Sequence, residues 1–309
     1  MSAPLYRRIA FLGIGLIGSS MALAARRHGL AGELVGHARS EKTRQTARRL
    51  KLVDRVEADP AKAVEGADLI VLATPVGAYA ELAQAIEKSL SPGATVTDVG
   101  SVKQAVIRDA GPYIPAGVHF IPGHPIAGTE HSGPEAGFAE LFEKRWCILT
   151  PPPGTDADAV DRLKRLWEGF GSRVQVMDAQ HHDKVLAITS HLPHLIAYTI
   201  VGTATGLEES EKSEVVRYSA GGFRDFTRIA ASDPVMWRDV FLNNKEAVLE
   251  MLQRFTEDMT ALQRAIRWGE GSVLEDHFRK TRAIRRGIIE AEQAGRFDPR
   301  EADERESSS

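Results

Sequence analysis

The sequence predicts an α/β N-terminal half built on a mainly parallel sheet, followed by an all-helical C-terminal half. Three observations carry this. Short apolar runs alternate with helical-period segments through the first half, the β signal stops after Met177, and helical spacing then continues to about Ala294. The 309 residues suffice for two domains, and we place the boundary at residue 178, with residues 1–178 forming the first domain, 179–295 the second and 296–309 a polar tail too charged to fold.

Taken in order, the expected strands are Ile9–Leu12, Leu34–His37, Leu69–Ala73, Thr95–Val99, His119–Ile121 and Cys147–Thr150. Between them Ser19–His28, Thr43–Leu50, Ala78–Leu90 and Val102–Ala110 carry apolar residues at helical spacing. One more helix, Ala159–Phe170, and one more strand, Arg173–Met177, close the first half. In the second half, breaks are expected near Glu208–Ser213, Ala220–Phe226, Ser232–Pro234 and Gly269–Gly271, and Pro193 is expected to kink or open its helix. The helical half has more apolar positions than one sheet face can cover, which predicts a homodimer.

A net charge of −3 offers no field to draw in a polyanion, so nucleic acid is not an expected partner. The single cysteine, Cys147, lies in an apolar stretch and reads as a small buried hydrophobe. No leader-like segment precedes the first strand, and no uninterrupted apolar run reaches the ~18–20 residues of a spanning helix, so a cytoplasmic protein without a membrane partner is expected.

The first strand runs into Gly13-Ile14-Gly15-Leu16-Ile17-Gly18, which opens a helix. That context makes the glycines a dinucleotide fingerprint of Rossmann type: Gly13 for the tight turn, Gly15 for close approach of a pyrophosphate, Gly18 for helix–strand packing. The phosphates would meet the free N–H groups of a helix N-terminus. The second strand ends in His37-Ala38-Arg39-Ser40, where an NAD enzyme usually places a carboxylate for the ribose hydroxyls. Arg39, with Ser40 and Thr43, suits a 2′-phosphate instead, so NADP is favoured over NAD.

Two further segments, Asp98–Lys103 and Gly123–Glu130, follow strand ends and should face the nicotinamide, because ligands of open α/β sheets bind outside the carboxyl ends of the strands. His124, between Gly123 and Pro125 on what reads as a fixed loop, has the side chain of a proton acceptor working near neutral pH.

The glycine fingerprint, Thr74-Pro75, Ser101-Val102-Lys103, Gly123 to Glu130, Ser190 to His194 and Gly221 to Arg228 stand in the order found in prephenate/arogenate dehydrogenases, and over roughly residues 8–290 the chain resembles that family. The resemblance implies oxidative decarboxylation of a small-molecule ring substrate in tyrosine biosynthesis. His124 would take the hydroxyl proton, Ser101 would bond that hydroxyl, Arg228 would bind a substrate carboxylate and His194 would line the pocket. Glu130 and His182 carry over as supporting polar groups, and Glu135 as the carboxylate that would favour the ammonium of arogenate.

His181, His182, His191 and His194 invite a metal reading, but no acidic or cysteine partner has matching spacing, and no metal is expected. A β-hydroxyacid dehydrogenase would need an asparagine one turn after Lys184, where Ile188 stands. A non-catalytic NADP sensor on the same fold would have no use for His124, Ser101 and Arg228 in one place.

Overall fold

The computed structural model describes residues 3–129, 131–205 and 221–290. The N-terminal sheet consists of β1 (Tyr6–Leu12), β2 (Ala31–His37), β3 (Arg55–Glu57), β4 (Leu69–Leu72), β5 (Thr95–Asp98) and β6 (His119–Ile121), all parallel, in the order β3-β2-β1-β4-β5-β6. Both faces are covered. Alternate residues of β1 therefore enter opposite cores, Ile9 and Phe11 with Trp167 and Phe142 on one side, Ala10 and Leu12 with Tyr79 and Val106 on the other.

The crossover helices are α1 (Leu16–Arg27), α2 (Glu41–Arg49), α3 (Pro60–Val64), α4 (Tyr79–Ile86) and α5 (Lys103–Ala110), with α6 (Ala157–Gly169) following the last of the expected N-terminal strands but one. The short β3 and α3 were not expected. More consequentially, Gly123–Pro125 is a strand rather than a loop: this β7 pairs antiparallel with β8 (Trp146–Leu149), which pairs parallel with β9 (Arg173–Val176). The last two expected strands thus belong to a separate three-stranded sheet, and ladder bonds on β7 hold His124 opposite Ile148. Cys147 on β8 is fully buried and free.

From residue 179 onward the described chain is helical. α7 (Ala179–Leu186) passes through a π turn, Ala187–His191, into α8 (Leu192–Thr205). Pro193 accounts for the wide turn, because it has no N–H for the carbonyl four residues earlier. α9 (Gly221–Thr227) lies where a break was expected, and Gly221 and Gly222 are both helical. α10 (Pro234–Asn243) is capped by Asp233, and α11 (Lys245–Trp268) and α12 (Gly271–Glu290) are separated at the expected glycines. The expected break at Glu208–Ser213 and the polar tail lie outside the described residues.

The chain divides into two compact units, Met1–Met251 and Leu252–Ser309. The first therefore includes α7 to α10, and the Asp183 carboxylate of α7 accepts the backbone amides of Lys103 and Gln104 at the start of α5. Among the described residues one helix, Ala179–Ala204, is long and apolar enough to cross a membrane by length and composition. Counting uninterrupted apolar residues overlooked it because polar residues punctuate it, and two of those, Asp183 and His191, are buried against neighbouring elements.

Candidate active site

The nucleotide edge is built around β1 and β4, where the strand order reverses. Gly13 has φ +113°, and a Cβ there would stand 2.5 Å from the carbonyl oxygen of Ala73. A Cβ at Gly18 would stand 2.2 Å from the carbonyl oxygen of Gly13. Both glycines are demanded by the fold itself. Gly15 is different, because a Cβ there would meet nothing within 4 Å. Ile14 is buried in the first core and the partly buried Leu16 and Ile17 pack against it, so the turn's side chains face inward while its backbone faces out. α1 begins without a side-chain cap, and the Oγ1 of Thr74, beside Gly13, is buried without a hydrogen-bond partner. Open space, free amides and an orphaned hydroxyl fit a bound dinucleotide. Pro75 continues this edge on the exposed side.

At the end of β2, Arg39 is exposed, and the Arg44 guanidinium holds its turn by donating to the carbonyls of Ala38 and Arg39 at 2.6 and 2.7 Å. Ser40 caps α2, its Oγ accepting from the Thr43 amide, and lies 3.1 Å from the Thr43 hydroxyl.

The second half of the site is a buried polar cluster. Asp98, at the end of β5, accepts the Gly123 amide at 3.0 Å, the Gly100 amide at 2.7 Å and the Lys103 ammonium at 2.6 Å, and Lys103 also donates to the Gly123 carbonyl at 2.6 Å. Burial pushes the Asp98 carboxyl up and the Lys103 ammonium down, and their mutual contact opposes both shifts. This pair fixes the backbone on which His124 sits. The Nδ1 of His124 lies 2.9 Å from Nε2 of His182, whose Nδ1 lies 2.8 Å from Oδ1 of Asp183. Asp183 also accepts the backbone amides of Lys103 and Gln104 at 2.8 and 3.0 Å, capping α5 from another helix. Those bonds and His182 outweigh burial and hold the Asp183 carboxyl below its usual range. Burial above all, then the neighbouring His182, Lys103 and His191, holds His124 far below the ordinary imidazole range.

Farther out, Asn244 donates to the carbonyl of Asp183 and to Nδ1 of His191. Burial is the main cause that pushes His191 down to about 4. Its ring meets Trp237 edge-on at 6.1 Å, and His194 stacks on that indole at 3.6 Å and 22°. His194 bonds the Ser190 carbonyl at 2.8 Å, and its proton affinity is lowered by burial and then by the charge of Arg228. Arg228, on the exposed turn Arg228–Ala231, is therefore near His194.

Of the expected residues, His124 and His182 are brought into direct contact, His194 and Arg228 into electrostatic range, and Ser101 into the half-buried turn that leads into α5. Glu135 instead pairs with Arg49 of α2, with its side chain 68% exposed, and Glu130 lies outside the described residues. Asp183, Lys103, Asp98 and Asn244 were not singled out. The available signal was a charged residue on an otherwise apolar helix face, as at Lys103 beside Ala105 and Val106. Among the described residues no group of three or more side chains is arranged to hold a metal ion.

A glycine turn at the switch point of a parallel sheet, together with a buried imidazole held by a second imidazole that a carboxylate holds in turn, is the arrangement of a dehydrogenase that works with a nicotinamide dinucleotide. The chain belongs to the prephenate dehydrogenase family: residues 21–176 match the family's nucleotide-binding domain and residues 178–280 its dimerization domain. A cyclohexadienyl dehydrogenase of Zymomonas mobilis is 42% identical over 280 residues, 91% of this chain and 95% of the relative. A prephenate dehydrogenase of Bacillus subtilis is 34% identical over 91% of this chain and 76% of its own length. Among solved structures, prephenate dehydrogenase from A. aeolicus with hydroxyphenyl propionate and NAD+ superposes with a TM-score of 0.85 at 35% identity, covering 91% of this chain and 98% of that one. Synechocystis arogenate dehydrogenase gives 0.76 at 29% identity, over 91% and 99%.

Proposed function

We propose that this chain catalyses the oxidative decarboxylation of prephenate and arogenate to 4-hydroxyphenylpyruvate and tyrosine, with His124 as the proton acceptor. The observation that carries this reading is the buried His124 on the strand that follows β6, with its ring held by His182. A nicotinamide dinucleotide held at the Gly13 to Gly18 turn would supply the acceptor for the hydride of the ring carbon bearing the hydroxyl. His124 takes the hydroxyl proton, Ser101 orients that hydroxyl, and loss of the ring carboxylate as CO2 leaves an aromatic ring. Aromaticity supplies much of the driving force, so the protein chiefly orients the substrate and stabilises charge. Arg228 would grip a substrate carboxylate bidentately, with His194 on its Trp237 platform lining the pocket.

Gly13 to Gly18, with Thr74 and Pro75, would hold the dinucleotide. Exposed Arg39, at a strand end without a carboxylate, supports NADP over NAD, with Ser40 and Thr43 beside it. Glu130 and His182 are supporting groups in this reading. Glu135 would favour arogenate only if it left Arg49 for the substrate's ammonium. We place the working domains at residues 1–178 and 179–295 and the enzyme in the cytoplasm as a homodimer. Exposed apolar Ile188, Ile200 and Leu242, in the stretch matching a dimerization domain, support the dimer. A monomer by sedimentation at micromolar concentration would refute it.

The test of the activity is reduced-cofactor formation with prephenate and with arogenate, each paired with NAD and NADP. Turnover of both substrates, faster with NADP, is the expected result. No turnover with either would overturn the reading, and a preference for NAD would overturn the role of Arg39.

A further inference from the structure

We propose that Asp183 is a positioning residue that sets the tautomers of the two imidazoles before it, and thereby decides which nitrogen of His124 meets the substrate; this rests on the reading of His124 as proton acceptor. The argument is one of donors and acceptors. An ionised carboxylate only accepts, and Asp183 is held by two fixed backbone donors, the amides of Lys103 and Gln104. Its 2.8 Å contact with His182 therefore puts the hydrogen on Nδ1 of that ring. A neutral imidazole has one N–H, so Nε2 of His182 is an acceptor. The 2.9 Å contact then requires Nδ1 of His124 to donate, which leaves the lone pair of His124 on Nε2.

The opposite pattern would need a doubly protonated His182, buried in a cluster that already holds the Lys103 ammonium. Asp183 thus delivers His124 in its basic form with the free nitrogen turned away from the cluster. When Nε2 accepts the hydroxyl proton, the resulting cation faces a hydrogen-bonded chain that ends in a carboxylate. A carboxylate that only capped α5 would not need to touch an imidazole, and α5 has no side-chain cap of its own.

The experiment is two-bond 15N–1H correlation NMR on full-length protein labelled in histidine, at pH 7.5, with His124→Asn and His182→Leu identifying the ring signals. We expect both His124 and His182 to carry hydrogen on Nδ1. Asp183→Asn should lose that pattern and lower kcat about 10²- to 10⁴-fold with KM for substrate and cofactor within about threefold. If loss of the α5 cap stops Asp183→Asn from folding, His182→Leu keeps Asp183 on the Lys103 and Gln104 amides and should lower kcat similarly. Hydrogen on Nε2 of His124 in the wild type, or wild-type kcat in the folded variant tested, overturns the proposal. A fully active His124→Asn would instead remove the reading beneath it, whichever nitrogen carries hydrogen.

Discussion

The glycine turn and the histidine cluster are built in opposite ways. At Gly13 to Gly18 the site is made by withholding side chains: two glycines avoid backbone collisions and the third leaves room. At His124 the site is made by burying polar side chains, each supplied with a partner from another segment. The turn can bind but has no group to move a proton. The cluster can move one, and it depends on β5, β7, α5 and α7 arriving together. Binding should therefore respond to local backbone changes and turnover to distant ones.

The largest expected effect separates the two. His124→Asn should lower kcat about 10²- to 10⁴-fold while cofactor affinity, by fluorescence titration, stays near wild type. Turnover near wild type would take His124 out of the mechanism.

A smaller effect divides the turn itself. Gly18→Ala drives a methyl into the Gly13 carbonyl and should cost about 1–3 kcal/mol of stability as well as cofactor affinity. Gly15→Ala meets no protein atom and should weaken the cofactor about tenfold or more at unchanged urea midpoint. Equal stability losses in both variants would erase the distinction between fold-demanded and ligand-demanded glycine.

The smallest effect is on acid stability. His124, His182, His191 and His194 all hold protons less well folded than unfolded, burial being the first cause in each. Below the unfolded value of about 6.5 the unfolded chain binds more protons, so stability falls as pH drops from there through the folded values. Asp183 acts in a lower window, stabilising above the ordinary carboxylate value and losing that contribution as pH falls through its depressed one. The urea midpoint should fall between pH 7 and pH 5; a flat midpoint would contradict neutral burial of these rings.

Much of this architecture is legible because it is local. β4 is an uninterrupted apolar run, β5 is β-branched up to Asp98, and the fingerprint needs only a strand before it and a helix after. β3 escapes notice because it has three residues and two are charged. β7 escapes because Gly-His-Pro reads as a turn until β8, more than twenty residues later, supplies its ladder. His124 is recognisable within its segment, and its partners are not: His182 is 58 residues away and Asp183 lies 80 from Lys103. No period or spacing connects them. Only the folded crossovers do.

The π turn before Pro193 acts as a phase adjuster. Asp183 and His191 are eight residues apart, about two and a quarter turns of a regular α-helix, which would leave them about 80° apart around the rod. A turn that swallows one extra residue moves that interval toward two full turns, so Asp183 and His191 can share Asn244. Deleting one residue from Ala187–His191 would rotate α8 about its own axis, carrying His194 away from Trp237 while leaving His124, His182 and Asp183 in the sequence. Whether a helix serves this site is thus a question of angle as much as of composition.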